Sequence, residues 1–175
     1  MLQSIGTRLA IFLTKEHIRD DAYYRTSFNA IKSVLEPGDV ILVEGQSRVS
    51  SAIQFITSSD WSHAAIFIGK TDYFKHSLIE VKAVEGCKYT DINTYEQYTL
   101  RICRPMFLNK RKRKILLSHL ITKIGSKYDL KNIIDLIRYV YPNPPVPKKF
   151  RRNLIGIGAG DPTKAICSTL IAEAF

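Results

Sequence analysis

Two strand signals joined by a short polar connection do most to limit how this chain can fold. The stretch Trp61-Ser62-His63-Ala64-Ala65-Ile66-Phe67-Ile68-Gly69 opens with a histidine among small residues, continues through β-branched and aromatic ones, and closes on glycine. Beyond the connection comes Ser77-Leu78-Ile79-Glu80-Val81-Lys82-Ala83-Val84, a second strand candidate. Paired as a hairpin centred on Thr71-Asp72, the two runs set His63 directly across from Glu80, with the carboxylate within side-chain reach of the imidazole. A general base works best when a third group fixes its tautomer and stabilises the imidazolium. Taken alone, the pair reads first as a half-exposed strand histidine and a solvated glutamate. A catalytic reading needs a nucleophile.

One is available near the end of the sequence, in Ala165-Ile166-Cys167-Ser168-Thr169-Leu170-Ile171-Ala172-Glu173-Ala174-Phe175. A Pro- and Gly-rich approach ends in Asp161-Pro162-Thr163, and Cys167, Leu170, Ile171, Ala174 and Phe175 then recur at helical spacing. This spacing predicts a helix with the cysteine in its first turn. Unpaired N–H groups and the positive end of the helix dipole stabilise a thiolate there, and can take its pKa below the usual ~8.5. The bland alternative is a buried cysteine acting as a small hydrophobe. Cys87 and Cys103 lack a nearby helix start or paired histidine and read as structural.

The remaining segments supply the frame. Residues 1–35 read as helical. Ile5, Leu9, Phe12 and Leu13 recur at amphipathic spacing, and a second helix from near Thr14 toward Leu35 carries Ile18, Ala22, Phe28, Ile31 and Val34 near one face. The first apolar run is shorter than the ~20 residues of a membrane span, and it lacks the basic start and small-residue cleavage site of a signal peptide. It is expected to pack on the domain, with an interfacial helix on lipid as the alternative. Glu36-Pro37-Gly38-Asp39 is a tight turn leading into a buried strand, Val40-Ile41-Leu42-Val43. Ser47 or Ser50 caps a short helix that stops in Thr57-Ser58-Ser59-Asp60. Lys88-Tyr89-Thr90 reads as a short strand between turns at 85–87 and 91–93, and residues 98–104 as another before Pro105.

These blocks together resemble the permuted papain-like cysteine hydrolases of the YiiX/YebB group in the NlpC superfamily. The resemblance is carried by Pro37-Gly38-Asp39-Val40-Ile41-Leu42, the His63 block, Ile79-Glu80-Val81 and the Cys167 block, and it covers the chain from about Leu35 onward. It implies a circularly permuted α+β fold, an antiparallel sheet packed against helices that include the nucleophile-bearing one, in a single domain over residues 1–175 with its catalytic core at 36–175. It implies further that Cys167 is the nucleophile, His63 the base and Glu80 the orienting acid. In Gly125-Ser126-Lys127-Tyr128, Tyr128 matches a tyrosine that sits beside the nucleophile in NlpC-like proteins and can donate to an oxyanion. A tyrosine packed at a helix junction is the alternative.

The reaction implied is acyl transfer from an amide or ester to Cys167, with a peptide, cell-wall or lipid-like substrate. A lipid acyltransferase or thioesterase at a membrane surface, or a non-catalytic binding module, are the competing classes. No cofactor or metal is expected: CxxC and His/Cys clusters are missing, and Gly156-Ile157-Gly158-Ala159-Gly160-Asp161 fits neither dinucleotide nor phosphate-loop patterns. An odd count of three cysteines points to reduced thiols and a reducing compartment, cytoplasmic or at a membrane periphery. The net charge of +10 favours anionic partners. Residues 110–114, all Lys or Arg, oppose the dipole of the amphipathic helix they open, so they read as a solvated helix entry or as a patch for an anionic membrane surface. Without interleaved aromatics or a binding motif, no nucleic-acid partner is expected. A helix over about 131–140 and a rigid proline loop, Tyr141-Pro142-Asn143-Pro144-Pro145-Val146-Pro147, complete the reading.

Overall fold

The computed structural model of the protein describes residues 27–82, 85–126 and 169–175. The expectations placed on residues 1–26, Tyr128, the 131–140 helix, the proline loop and Cys167 lie outside them. The elements are α1 (Phe28–Val34), β1 (Val40–Val43), α2 (Arg48–Thr57), β2 (His63–Gly69), β3 (Ser77–Lys82), β4 (Gly86–Asp91), a 3₁₀ turn (Ile92–Tyr95), β5 (Leu100–Cys103), α3 (Lys110–Thr122) and α4 (Thr169–Ala174).

All strand pairs are antiparallel, in the order β4-β3-β2-β1-β5. Because side chains alternate along each strand, the sheet has two apolar faces, and both are covered. On one, Ile41, Val43, Ala65, Phe67 and Leu78 pack with Ile92 and Tyr95 beneath Phe28 and Ile31 of α1. On the other, Val40, Ile66, Ile68, Ile79 and Val81 meet Leu116 and Leu120 of α3 and Leu170 of α4. Each Ile or Leu fully buried in this way contributes about 1.5–3 kcal/mol of transfer free energy.

Local chemistry sets the boundaries. Ser47 caps α2 by accepting from the Ser50 N–H at 3.1 Å, and Ser58 ends it in the left-handed region at φ 50°. Asn109 caps α3 by accepting from the Lys112 N–H at 2.9 Å, offsetting part of the penalty of the cations in its first turn. In the Pro37-Gly38 turn, Gly38 sits at φ 98° and donates to the Phe67 carbonyl at 2.7 Å, tying the turn to β2. A methyl group there would meet Leu108 Cδ2 at 2.6 Å, so Gly38→Ala combines backbone strain with a clash.

Two expectations need correction. The β2–β3 pairing sets Ala65, not His63, opposite Glu80. The turn runs from Thr71 to Phe74, where the Thr71 N–H donates to the Phe74 carbonyl at 2.9 Å and the Phe74 N–H to the Thr71 hydroxyl at 3.2 Å. Its centre thus falls between Asp72 and Tyr73, one residue beyond the symmetric placement, and the register slides by two residues. The strand read at 88–90 is longer: Gly86 and Cys87 belong to it, because Lys82 pairs with Gly86 and Val81 with Cys87 in a tight β3–β4 hairpin.

Candidate active site

A register slide of two residues leaves every side chain on its original face. His63 and Glu80 therefore remain on one side of the sheet, now as diagonal neighbours rather than direct ones. Ala65 stands directly opposite Glu80 and leaves the diagonal open. His63 Nε2 lies 2.6 Å from Glu80 Oε2. The histidine is 19% exposed at the start of β2, while the glutamate is wholly buried in the middle of the sheet.

A buried carboxylate must have its lone pairs satisfied, and Glu80 is surrounded by donors. The Tyr95 hydroxyl also donates to Oε2, and the Thr90 hydroxyl donates to Oε1. Lys82 Nζ stands 3.5 Å from Oε1 and 5.7 Å from the centre of the Tyr95 ring. Thr90 lies diagonal to Glu80 across β4, as His63 does across β2, so the acid is gripped from both neighbouring strands. Tyr95 comes from the 3₁₀ turn, which Asp91 caps by accepting from the Asn93 N–H at 2.9 Å. Its ring is 6.1 Å from that of His63, and Tyr98 meets it edge-on at 5.6 Å. Burial raises the Glu80 pKa, but the hydrogen bond and charge of His63, then Lys82 and Thr90, outweigh it and hold the group at about 2. The carboxylate is thus ionised across the working pH range. Nε2 carries the ring proton and Nδ1 is the basic nitrogen.

The structure brings His63 and Glu80 together. Cys167 and Tyr128 lie outside the described residues. The described helix α4 begins two residues after the cysteine, and its Leu170 packs on the face of the sheet opposite that bearing His63 and Glu80. The two other downstream carboxylates do not serve the histidine: Glu85 pairs with Lys88 at the surface, and Asp91 is spent on its cap. Cys87 is buried, and burial followed by the nearby Glu80 charge pushes its thiol up despite Lys123, which suits a structural residue. Sequence reasoning passed over Thr90, Lys82 and Tyr95. Strand alternation from Glu80 marks Lys82, and a β3–β4 hairpin marks Thr90; Tyr95 has no local signal.

Residues 34–141, more than half of the chain, match the family described as permuted papain-like amidase enzyme, YaeF/YiiX, C92 family. The chain belongs to this family. The matched segment contains His63, Glu80 and Tyr128 and ends before Cys167. Among solved structures, the chain is similar to the metalloprotein yiiX from Escherichia coli O157:H7, with 26% identity over 54% of this chain and 53% of that one and a TM-score of 0.47. The similarity therefore spans about half the length of that protein. No curated protein sequence matches the chain. Its fold is that of the permuted papain-like family, and the described residues are mixed α/β with an antiparallel five-stranded sheet. Among the described residues, no group of three or more His, Cys, Asp or Glu side chains is placed to hold a metal. Nor is any helix there long and apolar enough to cross a membrane.

Proposed function

We propose that the protein is a thiol amidase in which Cys167, His63 and Glu80 form the catalytic set. The observation that carries this reading is the 2.6 Å contact between His63 Nε2 and a buried Glu80 held ionised by its neighbours. With Nε2 committed as a donor, Nδ1 takes the thiol proton of Cys167. The thiolate attacks the amide carbon and the carbonyl oxygen becomes an oxyanion, to which Tyr128 and the Cys167 N–H donate. Collapse breaks the C–N bond, and the imidazolium returns its proton to the departing amine. Water, deprotonated by the same nitrogen, then hydrolyses the thioester and restores the thiol. Use of an acceptor alcohol or amine in place of water would make the same machinery an acyltransferase.

The reading requires Cys167 to reach His63 around the end of the sheet, since Leu170 of α4, three residues on, packs on the far face. His63 is the first residue of β2 and so stands at an end of the sheet. At limiting iodoacetamide near neutral pH, Cys167 is expected to be carboxymethylated well before Cys87 and Cys103, and labelling should slow in His63→Ala. Intact-mass profiling with a panel of amide and ester donors then reports the acyl group retained on Cys167. Equal labelling of all three cysteines would leave only a binding module with this fold. As a geometric check, His63→Cys should form a disulfide with Cys167 under mild oxidation, which demands Cα atoms about 4.4–6.8 Å apart.

A further inference from the structure

The loop between β5 and α3 ends the sheet on an exposed apolar tip: Met106 is 99% and Phe107 68% exposed. One turn into the helix that follows, Ile115 is 61% exposed as well. Two large apolar side chains this open at adjacent positions, as Met106 and Phe107 are, are unusual unless something covers them. Directly behind the tip come Lys110, Arg111, Lys112, Arg113 and Lys114. Arg113 is used inside the fold, paired with Glu36 at 3.0 Å. Among the described residues, no carboxylate pairs with the other four. Their position at the positive end of α3 costs helix stability, so neither the helix nor the core accounts for them.

We propose that this tip is a docking surface for an anionic phospholipid bilayer, with Met106 and Phe107 entering the acyl boundary and Lys110, Arg111, Lys112 and Lys114 holding the headgroups. The two features fit one occupant: an apolar wedge needs a hydrocarbon phase, and four cations with no carboxylate partner among the described residues need negative charge at the water interface. A soluble acidic polymer would satisfy the cations and leave the wedge in water. The surface lies away from the candidate active site. β5 reaches the tip from Cys103, which pairs with Val40, whereas His63 pairs with Val43 at the other end of β1, about 10 Å along the strand. Docking thus tethers the protein while leaving the His63 end facing away from the bilayer. The inference is independent of the assignment of Cys167.

Flotation of the whole protein with phosphatidylcholine vesicles, with and without phosphatidylserine, tests it. Binding is expected only with phosphatidylserine and should weaken as salt is raised. The K110Q/R111Q/K112Q/K114Q variant should lose it, at roughly fivefold per cation removed. M106S/F107S, at exposed positions and checked by circular dichroism, should bind at least about tenfold more weakly than the parent. F107W should show a blue-shifted emission on phosphatidylserine vesicles. Parental binding by M106S/F107S, an unshifted F107W spectrum, or tight binding to soluble polyphosphate with none to vesicles would each overturn the proposal.

Discussion

Among the described residues two carboxylates are buried, Glu80 within the sheet and Asp39 just before it, and their surroundings make them opposites. Asp39, at the mouth of β1, accepts from Arg104 Nε at 2.9 Å and Nη2 at 2.8 Å, and from the Glu36 N–H at 2.8 Å. Arg104 also pairs with Glu36 at 2.9 Å and donates to the Val34 carbonyl, while Arg113 binds Glu36 from α3. Hydrogen bonding to Asp39 raises the guanidinium pKa further above its usual value, so Arg104 stays charged. It clamps α1, β1, β5 and α3 together. Glu80 is equally buried, yet its neighbours are a histidine, a tyrosine, a threonine and a lysine, and the histidine reaches solvent. Burial of an acid alone therefore does not mark function; the catalytic role proposed for Glu80 rests on a partner that can exchange a proton and that reaches solvent.

The sharpest way to break this contrast is to neutralise both acids without changing their shape. Glu80→Gln should slow acylation by about 10²-fold, within the usual range for a misdirected general base, and leave substrate binding much less affected. Asp39→Asn should do the reverse, costing about 1–3 kcal/mol in denaturant unfolding with the rate per folded molecule unchanged. Comparable rate losses in both would erase the distinction. Acid titration sharpens it. Because the folded pKa of Glu80 lies at about 2, below the ordinary 4.5, its contribution to stability is complete above about pH 4.5 and is lost as pH falls toward 2. Equilibrium unfolding in that window should be less steep in Glu80→Gln than in the parent.

Smaller effects follow for the groups that hold the acid. Tyr95→Phe removes one donor to Oε2 and should cost about tenfold in acylation, with the acidic limb of the rate profile moved; Thr90→Val should cost less. An unmoved profile in Tyr95→Phe would reduce that residue to packing. The smallest change is expected at Glu85→Gln and Asp91→Asn, which should leave acylation within about twofold, because neither carboxylate approaches His63.

What could be read in advance was the chemistry that is local. The strands β1, β2, β3 and β5, a cap at Ser47 or Ser50, the stop within residues 57–60 and the Pro37-Gly38 turn all rest on neighbours within a few residues. The β2–β3 register does not, since the connecting loop folds on its own bonds, including Thr71 to Ser77 at 2.6 Å, and moves the turn off centre. His63 and Glu80 still met because an even slide preserves the face. Tyr95 was illegible because a 3₁₀ turn fifteen residues downstream carries it back onto Glu80. Lys82 and Thr90 needed a hairpin whose first residues looked like a turn. Neither reading of the 110–114 run foresaw that Arg113 belongs to the clamp, because its partner Glu36 lies 77 residues away.

The sheet order carries a consequence for how the chain is made. β1, β2, β3 and β4 each pair with their neighbour in sequence, so that meander can zip up as it leaves the ribosome. β5 alone must travel back, past the whole meander, to reach the open side of β1. Until residue 103 has emerged, β1 presents the unpaired edge Val40-Ile41-Leu42-Val43, four apolar residues that can template another chain. The same return brings Arg104 onto Asp39, so closing the edge and locking the clamp are one event. In pulse-labelled hydrogen exchange, the β1–β5 amides should gain protection together and after those of β2 and β3.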